Sequence, residues 1–335
     1  MKKVKRILAF VLSALLVVMA FAGCSAKNND DANVDSSDKK VAILQYMPHT
    51  SLDNCTQGVK NALDEAGIKY DVQIGSSGSA DTDCQSYAQQ MIANGYDLVI
   101  AVATPAAMSA YSAVQNASAS TPVVFCAVSD PVAAGLVESM EAPNKNCTGT
   151  ADAIDIKGQV ELIKQLQPNI KTLGVLYTTS EANSISQLKT LEEECKNAGI
   201  ELKSQGIGEA SELASAAAAL IPQVEALTNL TDNNVVDNMS VFLEQADAAG
   251  IPVYGSEIEQ VRKGCLASAS IDYVALGEKT GQMAIEILNG KDAATYPAVT
   301  VTDSFLVVNP QVAEKLNIAI PDSIKNTAEE VTAEQ

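Results

Sequence analysis

Side chains that can hold or give a proton recur at one kind of place in this chain, just after a short apolar run. Thr104 follows DLVIAVA, Ser129 and Asp130 follow VVFCAV, and the SEANS stretch of residues 180–184 follows LGVLYTT. Further runs end in Asp232 and Asn233, in Ser256 and Glu257, and in Asp272. Singly, each is a favoured helix N-cap. At the carboxyl ends of neighbouring strands they would instead converge on one crevice, with Glu181, Asn183 and Ser184 of SEANS among them. A carboxylate closed into such a crevice without a cation is costly. Asp130, Asp232 or Asp272 would therefore select a ligand carrying an ammonium group. The hydroxyls of Thr104, Ser129 and Ser184, beside helix N-termini, would suit a carboxylate. One zwitterion, an amino acid or a close relative, meets both demands.

Catalysis finds little support. The chain has a single histidine, His49, and no GxSxG, so a serine hydrolase lacks its base and its nucleophile elbow. A Cys55–His49 pair has no third group to orient it, and His49 is expected to line a cleft or the surface. With 41 Asp and Glu against 22 Lys and Arg, paired carboxylates are too common to mark an active site. The loop GSSGSADTD, residues 75–83, fits neither GxGxxG nor a Walker motif. No CxxC, zinc or EF-hand spacing occurs, so neither metal nor cofactor is expected. The formal charge of −19 argues against nucleic acid and anionic lipid as partners. Several of the six cysteines beyond Cys24 lie in apolar surroundings and are expected as buried free thiols.

The elements that must position these residues are clearest in LGVLYTTSEANSISQLKTLEEECKNAGI, residues 173–200. Residues 173–177 suit a strand buried on both faces. Ile185, Leu188 and Leu191 then recur at helical spacing among polar residues, with Asn183 or Ser184 as N-cap and Gly199 as the stop. VAILQYMPHTSLDNCTQGVKNALDEAGI, residues 41–68, repeats the plan. Two α/β lobes of like design follow. The 47% of hydrophobic residues include only 4% aromatics, so aliphatic side chains fill the interior, as helix-covered parallel sheets prefer.

Strand–loop–helix units place lobe one at residues 41–150 plus 272–297 and lobe two at 151–271 plus 298–322. The chain thus crosses three times, which makes a hinge. Helices are expected over 186–197, 235–249 and 276–288, and a last strand of lobe two over 299–308. Residues 323–335 read as a loose tail. At the other end, Lys2, Lys3, Lys5 and Arg6 precede an apolar stretch and Phe21-Ala22-Gly23-Cys24. This fits a lipoprotein signal peptide over 1–23, a lipid on Cys24 and a flexible tether over 24–40.

The stretches TPVVFCAVSDPVAAGLV, LGVLYTTSEANS, LTDNNVV and GCLASASIDYVALGEKTGQMAIEILNG resemble ABC-transporter substrate-binding lipoproteins of the tryptophan/tyrosine-binding type. The resemblance implies a type I periplasmic-binding fold, two Rossmann-like lobes with parallel sheets joined by a three-segment hinge. It implies binding without catalysis, by a monomer held to the outer face of the membrane. The ligand, an aromatic amino acid, would pass to an ABC permease driven by a separate ATPase. The family's positions fall on Ser129, Asp130, Glu181, Asn183, Ser184, Asp232, Asn233 and Asp272. Aromatic-binding members tend to carry His-Pro in the first loop, where this chain reads Met47-Pro48-His49-Thr50. A nucleoside, sugar or peptide stacked on Tyr46, Tyr177, Tyr254 or Tyr273 is the alternative ligand, and a membrane receptor the alternative partner.

Overall fold

Uninterrupted aliphatic runs become central strands, because a parallel strand covered by helices on both faces has no polar side to show. The computed structural model describes residues 39–332. In lobe one, β1 (Val41–Gln45), β3 (Leu98–Val102) and β4 (Val123–Cys126) are buried throughout. The edge strand β2 (Tyr70–Ile74) is polar and largely exposed. With β5 (Cys147–Ala151) and β11 (Val299–Thr300) they form a six-stranded parallel sheet in the order β2-β1-β3-β4-β5-β11.

Lobe two holds β6 (Thr172–Thr178), β7 (Glu201–Ile207), β8 (Ala226–Thr228) and β9 (Val253–Tyr254), parallel in the order β7-β6-β8-β9. Beside them β12 (Phe305–Val308) pairs antiparallel with β10 (Ala267–Ser270) and parallel with β13 (Glu329–Glu330). The two-residue period of a strand divides this lobe's core in two. Leu173 and Val175 of β6 pack with Leu188, Leu191 and Cys195 of α5 (Ala182–Ala198), below α4 (Ile156–Leu166). Leu176 packs on the other face with Leu213, Ala217 and Phe242, from α6 (Leu213–Leu220) and α8 (Met239–Ala249).

The lobes are joined where β5 leads to α4, where β10 leads to α10 (Tyr273–Leu288), and where β11 leads to β12. Helix α10 returns to lobe one and lies against α1 (Thr50–Glu65) with backbone touching backbone. A Cβ at Gly277 would collide with the carbonyl of Cys55, and one at Gly58 with the carbonyl of Val274. The glycines therefore set how closely the hinge-borne helix seats.

Several expectations change. Residues 299–308 are two strands in different lobes, separated by the polar Thr302-Asp303-Ser304. The helix expected over 235–249 divides at Asn238 into α7 (Asn233–Asp237) and α8, because Asp232 caps a short turn of its own. Helix α5 starts at Ala182 with Glu181 at the N-cap position, ahead of the expected Asn183 or Ser184. Residues 323–332 are not loose. A helical turn over Asp322–Lys325 and strand β13 tie them to lobe two through the buried Ile324 and Val331, too widely spaced to show a period. The six cysteines of the described residues are buried and free. The expected signal peptide, Cys24 and nearly all of the tether lie outside the described residues, as do 333–335. Among the described residues no helix is long and apolar enough to cross a membrane.

Candidate functional site

Strand-end segments of both lobes and of the hinge line one common cavity. Lobe one contributes His49, Ser51 and Leu52 from the junction of β1 and α1. It adds Ala103 and Thr104 where β3 enters α3 (Thr104–Asn116), and Ala127 and Ser129 after β4. The hinge contributes Asp152 and Tyr273, and lobe two Asn183, Thr231, Asn233, Val236, Glu257 and Gln260. Among the described residues no Lys or Arg lines the space.

Two wall residues of lobe one are strained. Ala103 has φ 83° and ψ 154°, a conformation that almost only glycine adopts, and Ala127 has φ 55°. Each follows a central strand directly, so the backbone turns sharply into the cavity at adjacent strand ends.

Asp152 is the carboxylate of the hinge. Ser129 Oγ donates to its Oδ1 (3.0 Å) and the Tyr273 hydroxyl to its Oδ2 (3.3 Å). Burial pushes its pKa up to about 6, against the lowering by those two bonds. A relay reaches it from lobe two. Gln187 Nε2 donates to Thr231 Oγ1 (2.6 Å), which leaves the Thr231 hydroxyl to donate to Ser129 (3.1 Å) and Ser129 to donate to Asp152. Glu257 also faces the cavity and caps α9 (Ile258–Arg262), accepting from Glu259 N and Gln260 N; burial raises it to about 7.

Behind the lobe-two wall lies a lattice of carboxylates and amides. Glu181 is 2% exposed and accepts from the Asn183 side chain (2.9 Å) and from backbone and side chain of both Asn233 and Asn234. Burial, with Asp232 alongside, holds its pKa well above the ordinary carboxylate range. Asp232 is fully buried and accepts from Thr178 N, Thr178 Oγ1, Ser184 Oγ and Val235 N. Asn183 is pinned further by donating to Thr231 O (2.9 Å).

The expected site residues thus separate. Thr104, Ser129, Asn183, Asn233 and Glu257 line one cavity. Glu181, Ser184 and Asp232 stand behind it, turned inward by the donors they satisfy or, for Ser184, by the carboxylate that it reaches. Ser256 donates to Leu230 O and is buried outside the wall. Asp130 caps its own turn through Ala133 N and accepts from Ser186 Oγ across the lobes (2.6 Å). Asp272 is exposed and caps α10. None of the three aspartates expected to face an ammonium lines the cavity; Asp152 does. It was missed because TADAID reads as a connecting segment. Its signal was a lone carboxylate directly after a strand of small and apolar residues. Of the four tyrosines weighed, only Tyr273 lines the space.

The lobes touch through His49–Asn233 (3.2 Å), Ser129–Thr231, Ser186–Asp130 and Asn54–Glu259 (3.4 Å), a closed arrangement.

Residues 40–332 match the family model for ABC transporter substrate binding proteins. The chain is 35% identical to a tyrosine-binding protein of Clostridioides difficile (strain R20291), over 95% of this chain and 94% of that one. It is similar to the ABC domain from Streptococcus pneumonia solved in complex with L-Trp, at 33% identity and TM-score 0.84, covering 88% of this chain and all of that one. It is also similar to a ligand-free, open structure of a substrate binding protein with adhesive properties from Clostridium difficile. There the identity is 34% over 88% of this chain and all of that one, yet the TM-score is 0.66. At nearly equal identity, the backbone follows the tryptophan-bound relative more closely than the open one.

Proposed function

The chain belongs to the ABC transporter substrate binding protein family and is a substrate-binding protein of the type I periplasmic-binding fold, and we propose that it captures an aromatic amino acid in the closed cavity. The observation that carries this reading is Asp152, a buried carboxylate on the cavity wall with hydrogen bonds from two hydroxyls and no cation. An ammonium group supplies the missing charge, with Glu257 as a second acceptor. The ligand carboxylate sits at the N-terminus of α3, where Thr104 and the helix dipole favour an anion. The relatives that bind tyrosine and tryptophan support the aromatic side chain.

In this reading the ligand contacts both lobes and stabilises the closed form, since only differential contacts shift such an equilibrium. The closed protein hands its cargo to a membrane permease with a separate ATPase and turns nothing over. Lipid on Cys24 holds a monomer at the extracytoplasmic face, and residues 24–40 give it reach. Among the positions expected from sequence, Asp130, Glu181, Ser184, Asp232, Ser256 and Asp272 shape or latch the site and do not touch ligand. Lobe one is residues 41–150, the hinge helix α10 and β11; lobe two is the remainder up to 332.

Calorimetric titration with tyrosine and tryptophan tests this. We expect Asp152→Asn to weaken both by at least roughly 30-fold, the worth of a charge-assisted hydrogen bond. N-acetyl tyrosine should bind no better than the variant binds tyrosine. Equal affinity for the free and acetylated amino acid would remove Asp152 from ammonium recognition.

A further inference from the structure

His49 occupies the N-cap position of α1 but makes no capping bond with its side chain, although capping is the local use for a polar group there. Its ring instead turns across the cleft, where Nε2 lies 3.2 Å from Asn233 Oδ1. The Asn233 amide cannot be reversed. Its Nδ2 donates to Glu181 Oε2 at 2.6 Å, and a flipped amide would set oxygen against that carboxylate. Asn233 Oδ1 is therefore an acceptor, Nε2 carries the proton, and the lone pair of the ring is on Nδ1. Nδ1 is buried and has no hydrogen-bond partner. The second orphan is of the same kind. Asn183 commits its Nδ2 to Glu181 and Thr231 O, which leaves Oδ1 as a buried acceptor without a donor. Both residues line the cavity. One carboxylate, Glu181, thus fixes two acceptors on the wall, one directly and one through Asn233.

We propose that His49 Nδ1 accepts a hydrogen bond from the ring O–H or N–H of the ligand's side chain, which makes His49 the specificity-determining residue and Glu181 its positioning residue. The inference rests on the amino-acid reading above and names which amino acids the site selects. Tyrosine and tryptophan carry a donor on the ring, whereas phenylalanine has the same bulk class and none. A buried acceptor left unpaired is penalised, and sites built this way discriminate strongly against the analogue that lacks the group. Burial holds the His49 ring neutral, with a pKa lowered to about 4, so the lone pair is available at neutral pH. Because Asn233 belongs to lobe two and His49 to lobe one, the tautomer is set only when the lobes close.

The chain contains one histidine, so the ring nitrogens of the untagged protein give a single pair of ¹⁵N resonances. In the closed protein we expect one protonated and one bare nitrogen. The bare resonance should move when tyrosine or tryptophan is added and stay in place with phenylalanine. By calorimetry the wild type should bind its preferred donor-bearing ligand at least about 30-fold more tightly than phenylalanine. His49→Phe should narrow that ratio to about threefold or less, on top of any loss common to all three ligands from the missing bond to Asn233. Glu181→Gln should mix the two tautomers in the spectrum and narrow the ratio as well. A uniform loss of affinity for all three ligands in His49→Phe, with the ratio unchanged, would overturn the proposal, as would a bare resonance indifferent to tyrosine. Failure of every amino acid to bind the wild type would instead remove the functional reading, and this one with it.

Discussion

Apart from His49 and Leu52, lobe one reaches the cavity with backbone and small side chains, whereas lobe two reaches it with amides that buried carboxylates hold in place. Ala103, Thr104 and Ala127 stand where central strands end, two of them at positive φ. Their shape comes from the chain path, which the glycine-tight contact of α1 with α10 braces from behind. Asn183 and Asn233 are aimed by side chains, with Glu181 and Asp232 collecting the donors around them. The two matched halves of the sequence therefore do different work. Apart from His49, the first offers a surface shaped by the backbone, and the second a polar lattice that one substitution can dismantle.

The lattice should accordingly be the more fragile wall. Asp232→Ala strands Thr178 N, Thr178 Oγ1, Ser184 Oγ and Val235 N in a site without exposure. At about 1 kcal/mol or more for each orphaned donor the loss is about 4 kcal/mol, or roughly 10 °C in thermal midpoint. Asp130→Ala removes one cross-lobe bond and one turn cap at a half-buried site and should cost about 1–2 kcal/mol. Thermal unfolding of the two variants measures the contrast. Similar midpoints for both would mean that Asp232 is an ordinary cap.

Acidity separates the cavity's carboxylates from His49 by a change of sign. Asp152 and Glu257 have pKa values raised by burial to about 6 and about 7, so the folded, unliganded protein binds their protons more tightly than the unfolded chain does. Their contribution to stability is full below the unfolded values near 4 and is lost as pH rises through about 6 and 7. His49, lowered to about 4, works the other way below about 6.5, so the clean measurement is a difference. Between pH 7.5 and 5 the wild type should gain about 1 kcal/mol relative to Asp152→Asn, read from denaturant melts. Ligand affinity should run oppositely. An ammonium needs the ionised Asp152, so tyrosine should bind about tenfold more weakly at pH 5 than at 7.5. Parallel trends in stability and affinity would contradict the pairing.

Why the sequence disclosed some of this and concealed the rest follows from the kind of signal each part carries. Strands such as VAILQ and LVIAV announce themselves because burial on both faces forbids polar residues. Thr104, Asn183 and Asn233 were legible as strand-end polar residues, yet so were Asp232 and Asp272, and nothing in a loop's sequence says which way a cap turns. Asp232 turns inward because Thr178 and Ser184 supply donors from a different strand and helix, a coincidence only the folded chain makes. Gly58 and Gly277 were invisible for the same reason, since each matters through the backbone of a helix distant in sequence. Two buried acceptors, His49 Nδ1 and Asn183 Oδ1, depend on amide orientation, which has no trace in residue order.

The smallest effect tests the lobe-one wall directly. Ala103 sits at φ 83° and ψ 154°, where a Cβ costs about 1–3 kcal/mol and glycine nothing. Ala103→Gly relieves that strain but adds about 0.5–1 kcal/mol of backbone entropy to the unfolded chain. The variant should therefore be more stable by about 1 kcal/mol, a rise of a few degrees in midpoint. Its tyrosine affinity should fall slightly, by about twofold to threefold, because the turn into α3 is no longer held by a side chain and must be ordered on binding. A gain in stability with unchanged affinity would show that the strained turn is only a consequence of the chain path. A loss in both would place the Ala103 methyl itself against the ligand, and the wall would then owe its shape to a side chain after all.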